Sequence, residues 1–266
     1  MMRDNRYGRN YNNNGNISPM TISLLINVLQ NWEYLKPITI FLLVVNIMVH
    51  VDPNLIASST WFSSLSSFIG GGGVIKENCL KVSSILNYYN RYNNLPLRRI
   101  FLWHIIHVDD YHLYYNMLSL IYKGMKLENS MGSFDFLILI IYSFLACSFF
   151  TFMLYYCSND VGICCVGFSS ILFCLKFILN QRYSETSTSI GGLLIPTQYA
   201  AWLELLMIQM ITPHASFMGH LSGIISGWFY LKYVSPFLYR YVMNSSSSSS
   251  SSSRGQPRFY GSGYAR

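Results

Sequence analysis

The sequence predicts an all-α membrane protein, a bundle of six membrane-spanning helices with a large structured segment between spans 1 and 2. Two observations lead there. Hydrophobic residues make up 52% of the 266 positions and charged ones only 11%, against roughly 25% charged in an ordinary soluble domain. The apolar residues also gather into stretches of the length that a helix needs to cross a hydrocarbon core about 30 Å thick. Six such stretches lie near 37–52, 111–127, 133–157, 163–180, 195–212 and 216–235. The second, fourth and sixth are interrupted by polar residues. A polar group at membrane depth costs a few kcal/mol, so it normally faces the bundle interior or a water-filled cavity and is a functional candidate.

Before the first span, residues 18–33 (SPMTISLLINVLQNWE) read as an interfacial amphipathic helix. The N-terminal string MMRDNRYGRNYNNNGN has no apolar h-region, so no cleavable signal peptide is expected there. Residues 1–17 are rich in Asn, Arg and Tyr, and 245–253 is an unbroken serine run; neither can bury anything. The expected organisation is a solvated tail over 1–17, a six-span domain over 18–235 and a Ser-rich solvated tail over 236–266. Segment 53–110, with its glycine tract Gly70 to Gly73, is too long for a structureless connector and should carry structure of its own.

Charge sets the expected orientation, because Lys and Arg flanking spans stay in the cytosol. Of the 18 Lys and Arg residues, Arg3, Arg6, Arg9, Lys36, Lys123, Lys126, Lys176, Arg182, Lys232, Arg240, Arg254, Arg258 and Arg266 fall on the side of the termini. Only Lys76, Lys81, Arg91, Arg98 and Arg99 fall opposite, so cytosolic termini are expected. The net charge of +7 is dispersed along the chain, which disfavours a nucleic-acid partner. The six cysteines lie mostly in apolar stretches and read as small packing residues, not as a disulfide framework.

Reactive residue types at membrane depth occur in a few short strings. His112 and Asn116, four apart, share a helix face; by themselves they fit a membrane-boundary histidine and an interhelical hydrogen bond equally well. Gly167-Phe168-Ser169-Ser170 opens the fourth stretch, where Gly and Ser most often serve close packing. His220, Gly223 and Gly227 are spaced i, i+3, i+7 on one face. Two glycines on that stripe let it press against another helix and bring the imidazole within reach of a hydroxyl such as Ser169. A buried histidine bonded to a serine can take its proton as the oxygen attacks a carbonyl. Asn116, His112 and the backbone N–H of Ser169 are the right donors for the resulting oxyanion.

In identity, order and spacing, His112-xxx-Asn116, Gly167-x-Ser169 and His220-xx-Gly223-xxx-Gly227 resemble the rhomboid intramembrane proteases, over roughly residues 36–235. The strings Arg98-Arg99, His107-Val-Asp109-Asp110-Tyr-His112, Trp202-Leu-Glu204-Leu and Ser216-Phe-Met-Gly-His220-Leu are similar to the endoplasmic-reticulum subfamily typified by rhomboid-related protein 4. That resemblance implies a Ser169–His220 dyad without an acidic third member, and an oxyanion site at Asn116 and His112. It further implies that Phe173 stacks on the His220 ring, that 53–110 forms a half-submerged loop, and that no metal or organic cofactor takes part. Substrates would be transmembrane proteins in the lipid bilayer, cleaved by a serine-type endopeptidase of the endoplasmic reticulum membrane in quality control or ER-associated degradation.

Several other residues carry expectations. Where the family has glycine after the nucleophile this chain has Ser170, whose hydroxymethyl predicts a wider Ser169–His220 gap and unchanged or raised activity in Ser170→Gly. His104, His107, Asp109, Asp110 and His112 read as a hydrated loop face in preference to a zinc site, since no His-Glu-x-x-His pattern accompanies them. Glu204 reads as a buried structural carboxyl. Phe259-Tyr-Gly261-Ser-Gly263 resembles a peptide that docks on a hexameric AAA ATPase, though Gly/Tyr-rich tails produce such strings by chance and a solvated tail is preferred. The alternatives are a catalytically inactive rhomboid-like adaptor that binds membrane clients for degradation, and a small transporter using Glu204 and the histidines as a relay.

Overall fold

The computed structural model describes residues 19–51, 74–184, 186–190 and 192–239, and these are predominantly helical. In chain order the helices are α1 (Pro19–Gln30), α2 (Pro37–Val51), α3 (Val74–Asn78), α4 (Val82–Tyr92), α5 (Leu97–Leu102), α6 (Asp110–Met131), α7 (Ser133–Cys157), α8 (Ser169–Arg182), α9 (Ala200–Ile211) and α10 (Phe217–Phe229). A π-helical turn, Tyr230–Val234, continues α10. The expected tails, the glycine tract and the Phe259–Gly263 string lie outside the described residues, except that helix continues through 235–239.

Each of the six apolar stretches contains a helix, α2 and α6 to α10. Among the described residues, only α7 is long and apolar enough to cross a membrane by length and composition. The stretch read as 163–180 is helical only from Ser169, and that read as 195–212 only from Ala200. A hairpin of β1 (Ser187–Ile190) and antiparallel β2 (Leu193–Pro196) precedes α9. The apolar pattern of Leu193 to Ile195 is shared by strand and helix, which is why the sequence did not separate them.

The core of the bundle is built where α2, α6, α7 and α8 meet, around Leu43, Met117, Leu120, Phe136, Leu139 and Leu175. Buried polar residues on α6 and α7 join the helices. Glu128 accepts from the backbone N–H groups of Ile38 (3.0 Å) and Thr39 (2.9 Å) and from the Thr39 hydroxyl (2.7 Å). A carboxylate from another helix thus caps the start of α2, meeting orphan donors that its own flank does not satisfy. Thr151 of α7 and Ser222 of α10 share a 2.7 Å hydroxyl bond.

The described part of the segment before α6, from Val74 onward, carries structure of its own, as expected. α4 and α5 pack against α7, and α3 packs against α5. Leu80 and Cys165 exchange backbone hydrogen bonds of 2.9 and 3.0 Å, Ser83 N–H donates to Val161 O (2.9 Å), and Gly167 N–H to Trp103 O (2.8 Å). Cys79 and Cys164 form a disulfide across this junction. This corrects the reading of all six cysteines as packing residues. The two lie 85 positions apart, in segments outside the helical parts of the spans, so their linear spacing carried no sign of the pairing. Cys147, Cys165 and Cys174 are buried free thiols, as packing residues should be.

Candidate active site

α8 begins at Ser169, the first residue of the helix, and α10 begins at Phe217 with Ser216 as its cap, the Ser216 hydroxyl accepting from Gly219 N–H at 2.9 Å. Both reactive side chains therefore sit near helix starts, at the same end of the bundle. The two helices press together along the predicted glycine stripe. A Cβ on Gly223 would overlap the Ser170 carbonyl oxygen, and one on Gly227 would come 2.9 Å from the Cys174 carbonyl oxygen. That approach sets His220 Nε2 3.0 Å from Ser169 Oγ. The Phe173 ring, one turn further along α8, lies 4.8 Å from the His220 ring at 32°. His220 Nδ1 is buried without a hydrogen-bond partner among the described residues.

His112 and Asn116 project from α6 toward the turn before Ser169. Gly167 has φ +117°, a conformation that glycine adopts without the usual penalty. A side chain there would also collide with the His112 ring, 2.7 Å from Nε2, and come 3.7 Å from Asn116 Nδ2. Asn116 Nδ2 is buried and unpaired among the described residues, a donor without an acceptor. Asp109 caps α6 by accepting from His112 N–H at 2.7 Å, which fixes the first turn that carries His112. The first N–H groups of α8 have no intrahelical acceptors, as in the opening turn of any helix.

Two readings from the sequence are corrected. Ser170 does not widen the gap: its carbonyl, not its hydroxyl, faces Gly223, and its side chain turns away from α10 to meet His104 Nδ1 at 3.2 Å. Successive residues of a helix diverge by about 100°, so a side chain at 170 avoids the interface that 169 faces. Nor do the residues from His104 to His112 form a hydrated face. His104 and His107 are buried, Asp109 is a cap, and Asp110 pairs with His50 at 2.7 Å.

Glu204 on α9 bridges two lysines, Lys123 Nζ at 3.3 Å and Lys176 Nζ at 3.1 Å. The sequence singles out the carboxyl but not its partners, because position beside apolar stretches places Lys123 and Lys176 on the cytosolic flank. α6 runs on to Met131, which puts Lys123 inside the bundle. Removing these two leaves the charge bias pointing the same way.

A rhomboid domain model matches residues 95–237, more than half of the sequence. Rhomboid-like protein 14, mitochondrial, of Arabidopsis thaliana is 32% identical over 240 residues, covering 85% of this chain and 64% of that protein. Rhomboid-related protein 4 of Rattus norvegicus is 32% identical over 184 residues (66% and 55%), and that of Homo sapiens 34% over 162 residues (56% and 50%). The chain spans less than two thirds of the length of each of these relatives. A helical bundle with this ordered set of motifs defines an integral membrane protein, and the chain belongs to the rhomboid family, among members similar to rhomboid-related protein 4.

Proposed function

We propose that this chain is a serine-type endopeptidase that hydrolyses peptide bonds in or near the transmembrane helices of membrane-protein substrates. The observation that carries this reading is the 3.0 Å contact between His220 Nε2 and Ser169 Oγ beside two side chains suited to an oxyanion. Ser169 attacks the scissile carbonyl while His220 accepts the hydroxyl proton, and the new oxyanion takes hydrogen bonds from Asn116 Nδ2, His112 and the Ser169 backbone N–H. His220 then gives the proton to the leaving amine. Water entering at the same end of the bundle attacks the acyl-enzyme with His220 as base, and Ser169 is released. Phe173 holds the imidazole plane, and Gly167, Gly223 and Gly227 keep the backbones close enough for the contacts.

The surrounding reading is a domain over 18–235 in which α2 and α6 to α10 are the six spans, with cytosolic tails at 1–17 and 236–266. The Cys79–Cys164 disulfide supports a luminal, oxidising setting for the reactive end. With the similarity to rhomboid-related protein 4, this favours the endoplasmic reticulum membrane and a role in membrane-protein quality control. The adaptor reading loses the steric objection that favoured it, since Ser170 leaves the reactive contact intact; its remaining support is the ATPase-like string in the tail.

A fluorophosphonate probe on detergent-purified protein tests the chemistry without knowledge of the substrate. Wild type should label, and Ser169→Ala and His220→Ala should not. Equal labelling of wild type and Ser169→Ala would sink the protease reading.

A further inference from the structure

Ser169 is the first residue of α8, and Phe168, at the cap position, makes no side-chain capping bond. The start of the helix that carries the reactive hydroxyl is therefore not fixed by a local cap. It is held by two bonds to one dipeptide of the preceding segment. On one side of Ser169, Gly167 N–H donates to Trp103 O at 2.8 Å. On the other, the Ser170 hydroxyl meets His104 Nδ1 at 3.2 Å.

His104 is itself held on several sides. Its Nε2 lies 3.1 Å from Phe144 O and 3.0 Å from Ser148 Oγ. Its ring is flanked by Trp103, 3.9 Å away, and Phe144, 4.9 Å away. Ser148 is held in turn, accepting from Trp103 Nε1 (2.9 Å) with its single hydroxyl proton shared between Ile100 O (2.7 Å) and Phe144 O (2.8 Å). Trp103, His104, Ser148 and Ser170 are all buried. A buried imidazole without a carboxylate partner is neutral. The Phe144 carbonyl can only accept, so the ring proton resides on Nε2 and Nδ1 is an acceptor. The Ser170 hydroxyl is then the donor, and the chain of bonds runs from α7 through His104 to the residue beside Ser169.

We propose that Ser170 is a positioning residue for Ser169: its hydrogen bond to His104 clamps the first turn of α8 onto the Trp103–His104 anchor and so holds the Ser169 hydroxyl at its distance from His220. This rests on the protease reading. Ser170 is buried and acts through His104, so its loss should slow turnover without weakening substrate binding. Removing the hydroxyl leaves His104 Nδ1 a buried acceptor without a donor and frees the first turn to shift.

The test is a cycle of Ser170→Ala, His104→Phe and the double variant, with wild type and Ser169→Ala alongside, in detergent-purified full chain. A single-span substrate supplies kcat and KM, measured well below the lowest Tm of the set. Each single variant should lower kcat about tenfold at unchanged KM, and the double variant should be no slower than the singles, because both changes break one link. Wild-type kcat in Ser170→Ala, a raised KM in place of a lowered kcat, or multiplying losses in the double variant would each overturn the clamp. Should His104→Phe not fold, Ser170→Ala alone decides by the same kcat and KM criterion. Cleavage by Ser169→Ala equal to wild type would instead remove the protease reading, an outcome distinct from all of these.

Discussion

At the Ser169–His220 contact, the approach of two helices depends on a residue without a side chain. Gly223 meets the Ser170 carbonyl so closely that any Cβ forces the backbones of α8 and α10 apart. Gly223→Ala should lower kcat/KM about 100-fold, the cost expected when reacting groups are displaced by an ångström or so. Circular dichroism would check that the fold survives. Asn116 has a buried amide without a partner among the described residues, and in the proposed mechanism it faces the developing charge, so Asn116→Ala should cost about 10² to 10³ in kcat with little change in KM. An unchanged kcat would remove Asn116 from the oxyanion site. The glycines were legible in the sequence as a stripe because i, i+3, i+7 spacing fixes a face. The direction of the Ser170 side chain was not, because the helix partner on its own face, His104, lies 66 positions away and belongs to a segment whose path no periodicity reveals.

At the scale of elements, α9 is tied to α6 and α8 by the Lys123–Glu204–Lys176 bridge. Two ammonium groups near one carboxylate inside the bundle depend on it. Glu204→Leu should reduce stability by on the order of 3 kcal/mol, read as a lower Tm in detergent, since it strands both cations. Replacing all three residues together by apolar ones of similar volume should recover most of that loss. A Glu204→Leu protein as stable as wild type would mean that water already solvates the lysines. The helical segments themselves were read well from apolar runs, apart from the extended run before Ser169 and the hairpin before α9. In both, an apolar run fixes burial and not conformation: the hydrogen bonds of 161–167 to Leu80, Ser83 and Trp103 decide the first, and the pairing of β1 with β2 decides the second.

For the whole molecule, the disulfide between Cys79 and Cys164 fastens the folded segment between α2 and α6 to the approach of the Ser169 helix. Cys79→Ser with Cys164→Ser should lower Tm by a few degrees, in line with about 2–4 kcal/mol for a native bridge. In sealed microsomes, a membrane-impermeant maleimide applied after reduction with an impermeant phosphine should label neither cysteine until the vesicles are opened. Labelling of intact vesicles would reverse the proposed orientation.

The brevity of α8 has a further consequence. Its 14 residues extend about 21 Å at 1.5 Å per residue, well short of a hydrocarbon layer about 30 Å thick. In the six-span reading α8 is enclosed by α6, α7, α9 and α10 with most of its side chains buried, so its shortfall leaves an end inside the protein, below the headgroups, and not against lipid. Ser169 is that end. In the proposed function, a client helix matched to a full-thickness bilayer reaches Ser169 only by leaving lipid for the bundle interior with polar backbone unsheltered, where a marginally stable span would fray first.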